Sequence, residues 1–540
     1  MCLHPHAPIS LEPRLTTQIE AWHINVSVEV WLFVAGLVLV AYVYSRWCHS
    51  YWSSRGIRTP PFLPFLGHMH KKLPIFQSRW DYYDEVYHKY GGASLCGLYD
   101  LFRPVLMIGD PVLVKGILVK DFEHFVDREI FRAEEGSITN ETLTRKSGDE
   151  WKALRAIMTP TFTSGKIRGM FPLVCNKADT LVSFTLKKAA QKPYVDMKDN
   201  FGRFTMDSIA SCAFGIECNS FKNEEPEFAK WAAAFFEFSF AKFIKFTLFN
   251  MYPRICNALG FKIESNSVKF FTRVVKEIIA ARKSGQRRED YLDILLDAQS
   301  SLISPTTVPE NHTSITHVPS VTEKQVLTDE TIMAQCVLFF AAGYDTMAST
   351  LAVLSFLLAK HPMHQQRLRQ ELQQIIQEEG DITYQSIMDA KFLNACVMES
   401  LRLYPPAASG ERFCTKTYKI PGTKVILHPG DIVIIPFWSL HRDSRYWSEP
   451  EMFHPDRFMP ENKGKIISYT HMPFGMGPRN CIAKRFALME AKVALAKLLL
   501  RAELHLRSNQ QELKLEKISL ILRPAAVDLV ITPLTTTTTF

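Results

Sequence analysis

The residues with the most chemistry in them lie in Phe474-Gly475-Met476-Gly477-Pro478-Arg479-Asn480-Cys481-Ile482-Ala483. Two glycines and a proline make a rigid, compact turn whose backbone can approach a flat partner closely. Cys481 stands at the head of an apolar helical run, Phe486 to Leu500. Backbone N–H groups at a helix start stabilise an anion, so a thiolate is favoured there. A thiolate in a Gly-rich turn, with an arginine two residues before it, suits axial ligation of haem iron. A buried structural cysteine in a helix cap would explain neither the turn nor Arg479.

Two further constellations carry charge where charge is costly. Gly343-Tyr344-Asp345-Thr346 sits in the middle of an apolar stretch, and Asp345 is its only charge between Val337 and Ala359. An acid beside an alcohol can move protons; a local Ser/Thr back-bond that bends the helix is the plainer reading of Thr346. Glu399-Ser-Leu-Arg402 places opposite charges at i and i+3, on one helix face, where they can meet a third partner.

The elements that position these groups follow from local signals. Thr328 caps a helix start, Asp329 and Glu330 suit its first turn, and Pro362 follows its end. That helix is apolar enough to be mistaken for a second membrane span. A lipid-facing Asp345 would be expensive, so the reading is a helix buried all round in a large body. Strands are few. Val425-Ile426-Leu427 and Ile432-Val433-Ile434-Ile435 flank Pro429-Gly430 and read as a hairpin. Near the C-terminus Leu504/Leu506, Leu513/Leu515 and Leu529/Ile531 alternate with polar neighbours. Residues 301–325 read as a Ser/Thr/Pro-rich surface loop and 535–540 as a low-complexity tail.

Residues 24–44 form an apolar stretch of a length that can cross a bilayer core, which takes about 20 residues. No small-x-small cleavage site follows, so it reads as an uncleaved anchor. Arg46, Arg55, Arg58, Lys71 and Lys72 follow it, which places residues 1–23 in the lumen and the rest of the chain in the cytosol. Pro60-Pro61-Phe62-Leu63-Pro64 within residues 45–67 predicts a stiff, extended linker.

Of 540 residues, 47% are apolar and 22% charged, which excludes a disordered or collagen-like chain. The net charge of +8 comes from 63 basic against 55 acidic residues, with no dense basic run, so nucleic acid is not expected as a partner. Eleven scattered cysteines without a CxxC pair exclude a zinc site or disulfide framework. No Gly-x-Gly-x-x-Gly follows a strand, so electrons must come from another protein.

The Cys481 loop closely resembles the haem-binding signature of cytochrome P-450 monooxygenases, with Ala483 in place of the usual final glycine. Glu399-Ser-Leu-Arg402 is similar to the family's ExxR, and Pro455-Asp456-Arg457-Phe458 to the motif that supplies its third partner. Ala342-Gly343-Tyr344-Asp345-Thr346 looks like the oxygen-activation motif. Trp151-Lys-Ala-Leu-Arg155, Thr159-Pro-Thr-Phe-Thr-Ser-Gly-Lys166, Met206-Asp-Ser-Ile-Ala-Ser-Cys-Ala-Phe-Gly215 and Pro436-Phe-Trp-Ser-Leu-His-Arg-Asp443 resemble the family-three clan.

The resemblance implies a mainly α cytochrome P-450 fold with small β-sheets over residues 68–534, preceded by a single transmembrane helix. It implies haem b with Cys481 as axial iron ligand and Phe474 beside it. Trp151, Arg155, Arg128, Arg412 and Arg479 would hold the propionates. Glu399, Arg402 and Arg457 would be structural. Gly343 would make room over the iron, Thr346 would bond dioxygen or water, and Asp345 would relay protons. Expected partners are an NADPH-dependent flavoprotein reductase, cytochrome b5, membrane lipid and a lipophilic substrate, at the endoplasmic reticulum membrane. Lys152, Lys166, Arg168, Lys484 and Arg485 are candidates for the reductase face. Phe228, Phe235, Phe236, Phe238, Phe240, Phe243, Phe246 and Phe249 read either as core or as a greasy pocket entrance. A haem-thiolate isomerase of peroxides and a non-catalytic haem or lipophile binder are the rival readings, the first opposed by the Asp345-Thr346 pair.

Overall fold

The computed structural model describes residues 28–534 except 73–76, 129–132, 223–226, 237–238, 289, 304–326 and 509. The expected lumenal segment 1–23, nearly all of the expected Ser/Thr/Pro-rich loop and the 535–540 tail lie outside the described residues, as does Phe238.

Helices dominate. The longest, Asp329–Lys360, starts where its sequence signals place it: Thr328 accepts the Thr331 N–H through its hydroxyl, and Asp329 and Glu330 occupy the first turn. Pro362 opens the next helix, Pro362–Glu379. Most of the apolar side chains of this long central helix are buried, chiefly against helix Met197–Phe214. This is the position of a core helix and not of a lipid-facing span.

The strands pair differently from the hairpin read in the sequence. Ile432–Ile435 runs parallel to Arg103–Ile108 and antiparallel to Gly410–Phe413, within a four-stranded sheet completed by Leu95–Asp100. Ile426–Leu427 pairs instead with Tyr418–Lys419. Pro429-Gly430 still turns the chain, with Gly430 at φ 98°. All four residues Ile432–Ile435 are buried, and they gain more from two partners in the core than from one hairpin neighbour. At the C-terminus Ala502–Leu506 pairs with Asp528–Pro533, whereas Leu515 makes only an isolated bridge to Pro524.

Helix Val28–Cys48 is exposed along most of its length and, among the described residues, is one of two helices long and apolar enough to cross a membrane. Its end is tied to the body. Ser45 is buried and its hydroxyl accepts the Phe65 N–H at 2.9 Å, and His49 stacks on Phe62 at 4.7 Å. The proline-rich stretch is therefore not extended throughout, as the prolines alone suggested. Leu63 and Gly67 exchange backbone hydrogen bonds of 3.1 and 2.9 Å and turn the chain back. Gly67 has φ 57°, and a Cβ there would stand 2.7 Å from the Tyr99 carbonyl, so this turn requires glycine.

Buried histidines make the body acid-sensitive. Burial pushes the pKa of His68 down to about 4 and that of His471 down to about 3. His68 accepts the Tyr99 N–H at Nδ1, 2.9 Å away, a bond only the neutral ring can make. Below the ordinary histidine pKa of about 6.5 the unfolded chain therefore binds more protons than the folded one. The stabilisation is complete above that pH and is lost as pH falls. His68 alone accounts for on the order of 2 kcal/mol by pH 5. The unfolding midpoint should be level from pH 8 to 7 and fall steadily from 6.5 to 5; a level midpoint down to pH 5 would contradict the assignment.

Candidate active site

The cysteine loop is closed by its own backbone. Gly475 N–H donates to Met472 O (2.9 Å), Asn480 N–H to Gly477 O (3.0 Å) and Cys481 N–H to Phe474 O (2.9 Å). Gly475 and Gly477 both lie at positive φ, 67° and 74°. At Gly477 a Cβ would fall 1.8 Å from the Leu118 carbonyl, so the loop rests directly on the backbone of the turn Gly116–Lys120. Cys481 precedes helix Lys484–Leu499, whose N-cap is Ala483. Cys481 is exposed, but the protein around it displaces water and so raises its thiol pKa. The Ala483 N–H and the charges of Arg155, Arg128 and Lys484 oppose that rise.

Above one side of this loop the protein concentrates positive charge. Arg479 and Arg412 are buried. Arg479 donates from Nε to Val126 O and from Nη2 to Lys146 O, both at 2.8 Å, and its guanidinium lies 4.1 Å over the Trp151 ring. Asp127 is 3.7 Å from Arg479. Arg128 donates to the Arg479 carbonyl. Burial and mutual repulsion push Arg479 down to about 9, Arg128 down to about 10, and Arg412 well below its ordinary value. The Nε–H groups of Arg128 and Arg412 are buried with no hydrogen-bond partner. Unsatisfied buried donors on crowded cations are costly. Two planar carboxylates would relieve both the charge and the missing bonds, so Arg128, Arg412, Arg479 and an accessible thiol fit a flat dianionic macrocycle.

Other predicted groups are placed differently. Arg155 donates to Asn480, from Nη1 to the carbonyl at 3.0 Å and from Nη2 to Oδ1 at 2.9 Å. Through these two bonds it clamps the cysteine loop. Asp345 is buried and accepts from Arg523 Nη1 at 3.0 Å; Arg523 also binds Glu516. The carboxylate expected to relay protons is thus committed to an ion pair with the C-terminal segment. The cost of burying an acid explains the pairing, since a charge inside the body must be neutralised. Thr346 donates to Ala342 O at 2.6 Å, the back-bond of the plainer reading, and Ala342 beside it is exposed although its helix is largely buried. At Gly343 a Cβ would meet Ile209 Cδ1 at 2.4 Å, so this glycine lets two helices pack, a demand the sequence did not show.

Beneath the loop, Glu399 and Arg402 are fully buried. Arg402 Nε and Nη2 meet the two carboxylate oxygens at 2.7 and 2.9 Å, and Arg457 Nε reaches Oε1 at 3.3 Å. Lys152, Lys166, Arg168, Lys484 and Arg485 are all exposed, but Lys152 already faces Glu123 and Asp149 at 3.5 and 3.6 Å. Of the phenylalanine-rich stretch, Phe249 is buried and Phe228 packs on Phe270 at 5.4 Å; these two belong to the core. Sequence reasoning missed Asn480 as the partner of Arg155, Arg523, and Ile209; each partner is distant in sequence from its counterpart and carries no local signal.

The cysteine loop and the cationic cradle beside it suit a haem held through a thiolate. The chain belongs to the cytochrome P450 family, whose model matches residues 57–530. Among its relatives, Cytochrome P450 9e2 of Blattella germanica is 36% identical over 504 residues, covering 89% of this chain and 93% of the relative. Cytochrome P450 3A29 of Sus scrofa is 35% identical over 480 residues, 88% of this chain and 90% of the relative. Cytochrome P450 3A7 of Homo sapiens is 34% identical, with the same coverage. The protein is a cytochrome P450 monooxygenase using haem b.

Proposed function

We propose that this monooxygenase is a membrane-attached enzyme that inserts one oxygen atom into a lipophilic substrate. Its electrons come from an NADPH-dependent flavoprotein reductase, with cytochrome b5 as a second donor, at the endoplasmic reticulum membrane. The observation that carries the reading is the exposed apolar helix Val28–Cys48, tied to the body through Ser45 and His49. A second exposed apolar group, Ile244, Leu248, Tyr252, Ile255, Leu259 and Phe261, supports contact with lipid and entry of lipid-soluble molecules.

In this reading Cys481 holds the iron, and the bound haem supplies dioxygen activation. Arg128 and Arg412 give their unpaired N–H groups to the propionates, beside Arg479 and Trp151. Phe474, whose carbonyl accepts the Cys481 N–H, stands beside them. Thr346, already donating to Ala342 O, keeps its oxygen lone pairs for an incoming hydrogen-bond donor. Asp345 holds Arg523 and steadies the C-terminal segment against the central helix.

Full-length protein, a microsomal-type flavoprotein reductase and NADPH, reconstituted in phospholipid vesicles, should show oxygen consumption that rises with added lipophilic substrate. Conversion of an organic hydroperoxide without the reductase, and no NADPH-driven oxygen consumption, would contradict the proposal.

A further inference from the structure

His441 follows the short helix Phe437–Leu440 and is fully buried between the Glu399–Arg402 helix, Lys391–Leu403, and the chain entering the cysteine loop. Its ring makes two hydrogen bonds of opposite sense. The Met472 N–H donates to Nε2 at 2.8 Å, so that nitrogen carries no proton. The ring proton is then on Nδ1, which donates to the Arg402 carbonyl at 3.2 Å. Arg402 answers from Nη1, donating to the His441 carbonyl at 2.8 Å.

Met472 is the point where this bond reaches the loop. It is buried, and its carbonyl accepts the Gly475 N–H that starts the loop's turn. Phe474, two residues on, accepts the Cys481 N–H. One neighbour reinforces the tie: the His471 ring donates from Nε2 to Met398 O at 3.2 Å, with the two imidazoles 5.3 Å apart.

We propose that His441 is a positioning residue for the iron-ligating thiolate. It hangs the entrance of the cysteine loop from the Glu399–Arg402 helix and so sets where Cys481 stands. The role needs one acceptor and one donor on opposite sides of a neutral ring. An apolar ring of the same shape fills the space but leaves the buried Met472 N–H unpaired. The proposal rests on Cys481 as the ligand and adds to that assignment the residue that holds it in register.

The test compares His441→Phe and His441→Gln in haem-loaded, full-length protein. Gln keeps an acceptor, Oε1, near the place of Nε2. The readouts are the unfolding midpoint and the spectrum of the reduced, CO-bound protein, read as the ratio of the strongly red-shifted band to the unshifted one. His441→Phe should lower that ratio at least tenfold, and His441→Gln should keep it near the parent's. A Phe variant with the parent's ratio overturns the proposal, as does a folded Gln variant that loses the band as fully as Phe. If the Phe variant does not fold, the Gln variant decides alone: a parent-like band supports the role and its loss overturns it. A parent protein without the red-shifted band would overturn the ligand assignment, and this proposal with it.

Discussion

Glu399→Gln should abolish most of the haem-loaded, folded protein. The carboxylate is fully buried and accepts from Arg402 at two atoms, from Arg457 and from the His454 N–H at 2.9 Å. Arg402 is equally buried, and its other donations, to the carbonyls of His441, Pro450 and Met452, keep it in place whatever happens to Glu399. The substitution therefore leaves a guanidinium charge in the interior without its counter-charge. Breaking a buried pair in this way costs about 3–5 kcal/mol, a large share of the roughly 5–15 kcal/mol that holds a domain folded. The check is haem content and unfolding midpoint of the purified variant. A midpoint equal to the parent's would mean the cluster bears no weight. Arg457→Ala should cost less, because two of its remaining bonds are to exposed groups.

The second large effect is expected at Gly477, with Gly475 as its internal control. Both have positive φ, so alanine at either pays about 1–2 kcal/mol for the left-handed backbone. They differ in space. A Cβ at Gly475 has its nearest atom at 3.8 Å, ordinary contact. At Gly477 it falls 1.8 Å from the Leu118 carbonyl, a backbone atom in the buried support of the loop. Neither partner can yield without moving a packed segment, so Gly477→Ala should displace the cysteine loop and lose haem. Gly475→Ala should bind haem and melt slightly lower. Equal behaviour of the two variants would show that the loop does not rest on Leu118.

What was legible in the sequence was local. Thr328 capping at i+3, the Glu399–Arg402 pair at i and i+3, and the turn residues around Cys481 are set by short-range geometry, and each appears as read. Long-range partners were not legible. Asp345 looked free for proton transfer because Arg523, 178 residues away, has no motif of its own. Ile432–Ile435 was given the hairpin partner nearest in sequence, whereas its partners are strands that converge only in the folded sheet. Gly343 was read as space for a ligand, when helix packing against Ile209 also demands it. A glycine reports that something is close, and not what.

The cationic cradle lay between these cases. Arg479 stands out by its place two residues before Cys481 and Trp151 by resemblance, and their stacking is a contact no spacing rule provides. Arg155 sits one helical turn from Trp151, and its bonds to Asn480 are a further role that the shared resemblance did not reveal. Its clamp holds the cysteine loop at the end opposite His441, so the thiolate is steadied from both sides.

The central claim is that Cys481 is the thiolate that holds the haem iron. The most direct measurement is the absorption spectrum of the reduced, CO-bound protein, taken for the parent and for Cys481→Ser. The parent should show the strongly red-shifted band of thiolate ligation, and the variant should lose it. A parent without that band, or a Cys481→Ser protein that keeps it, would contradict the account.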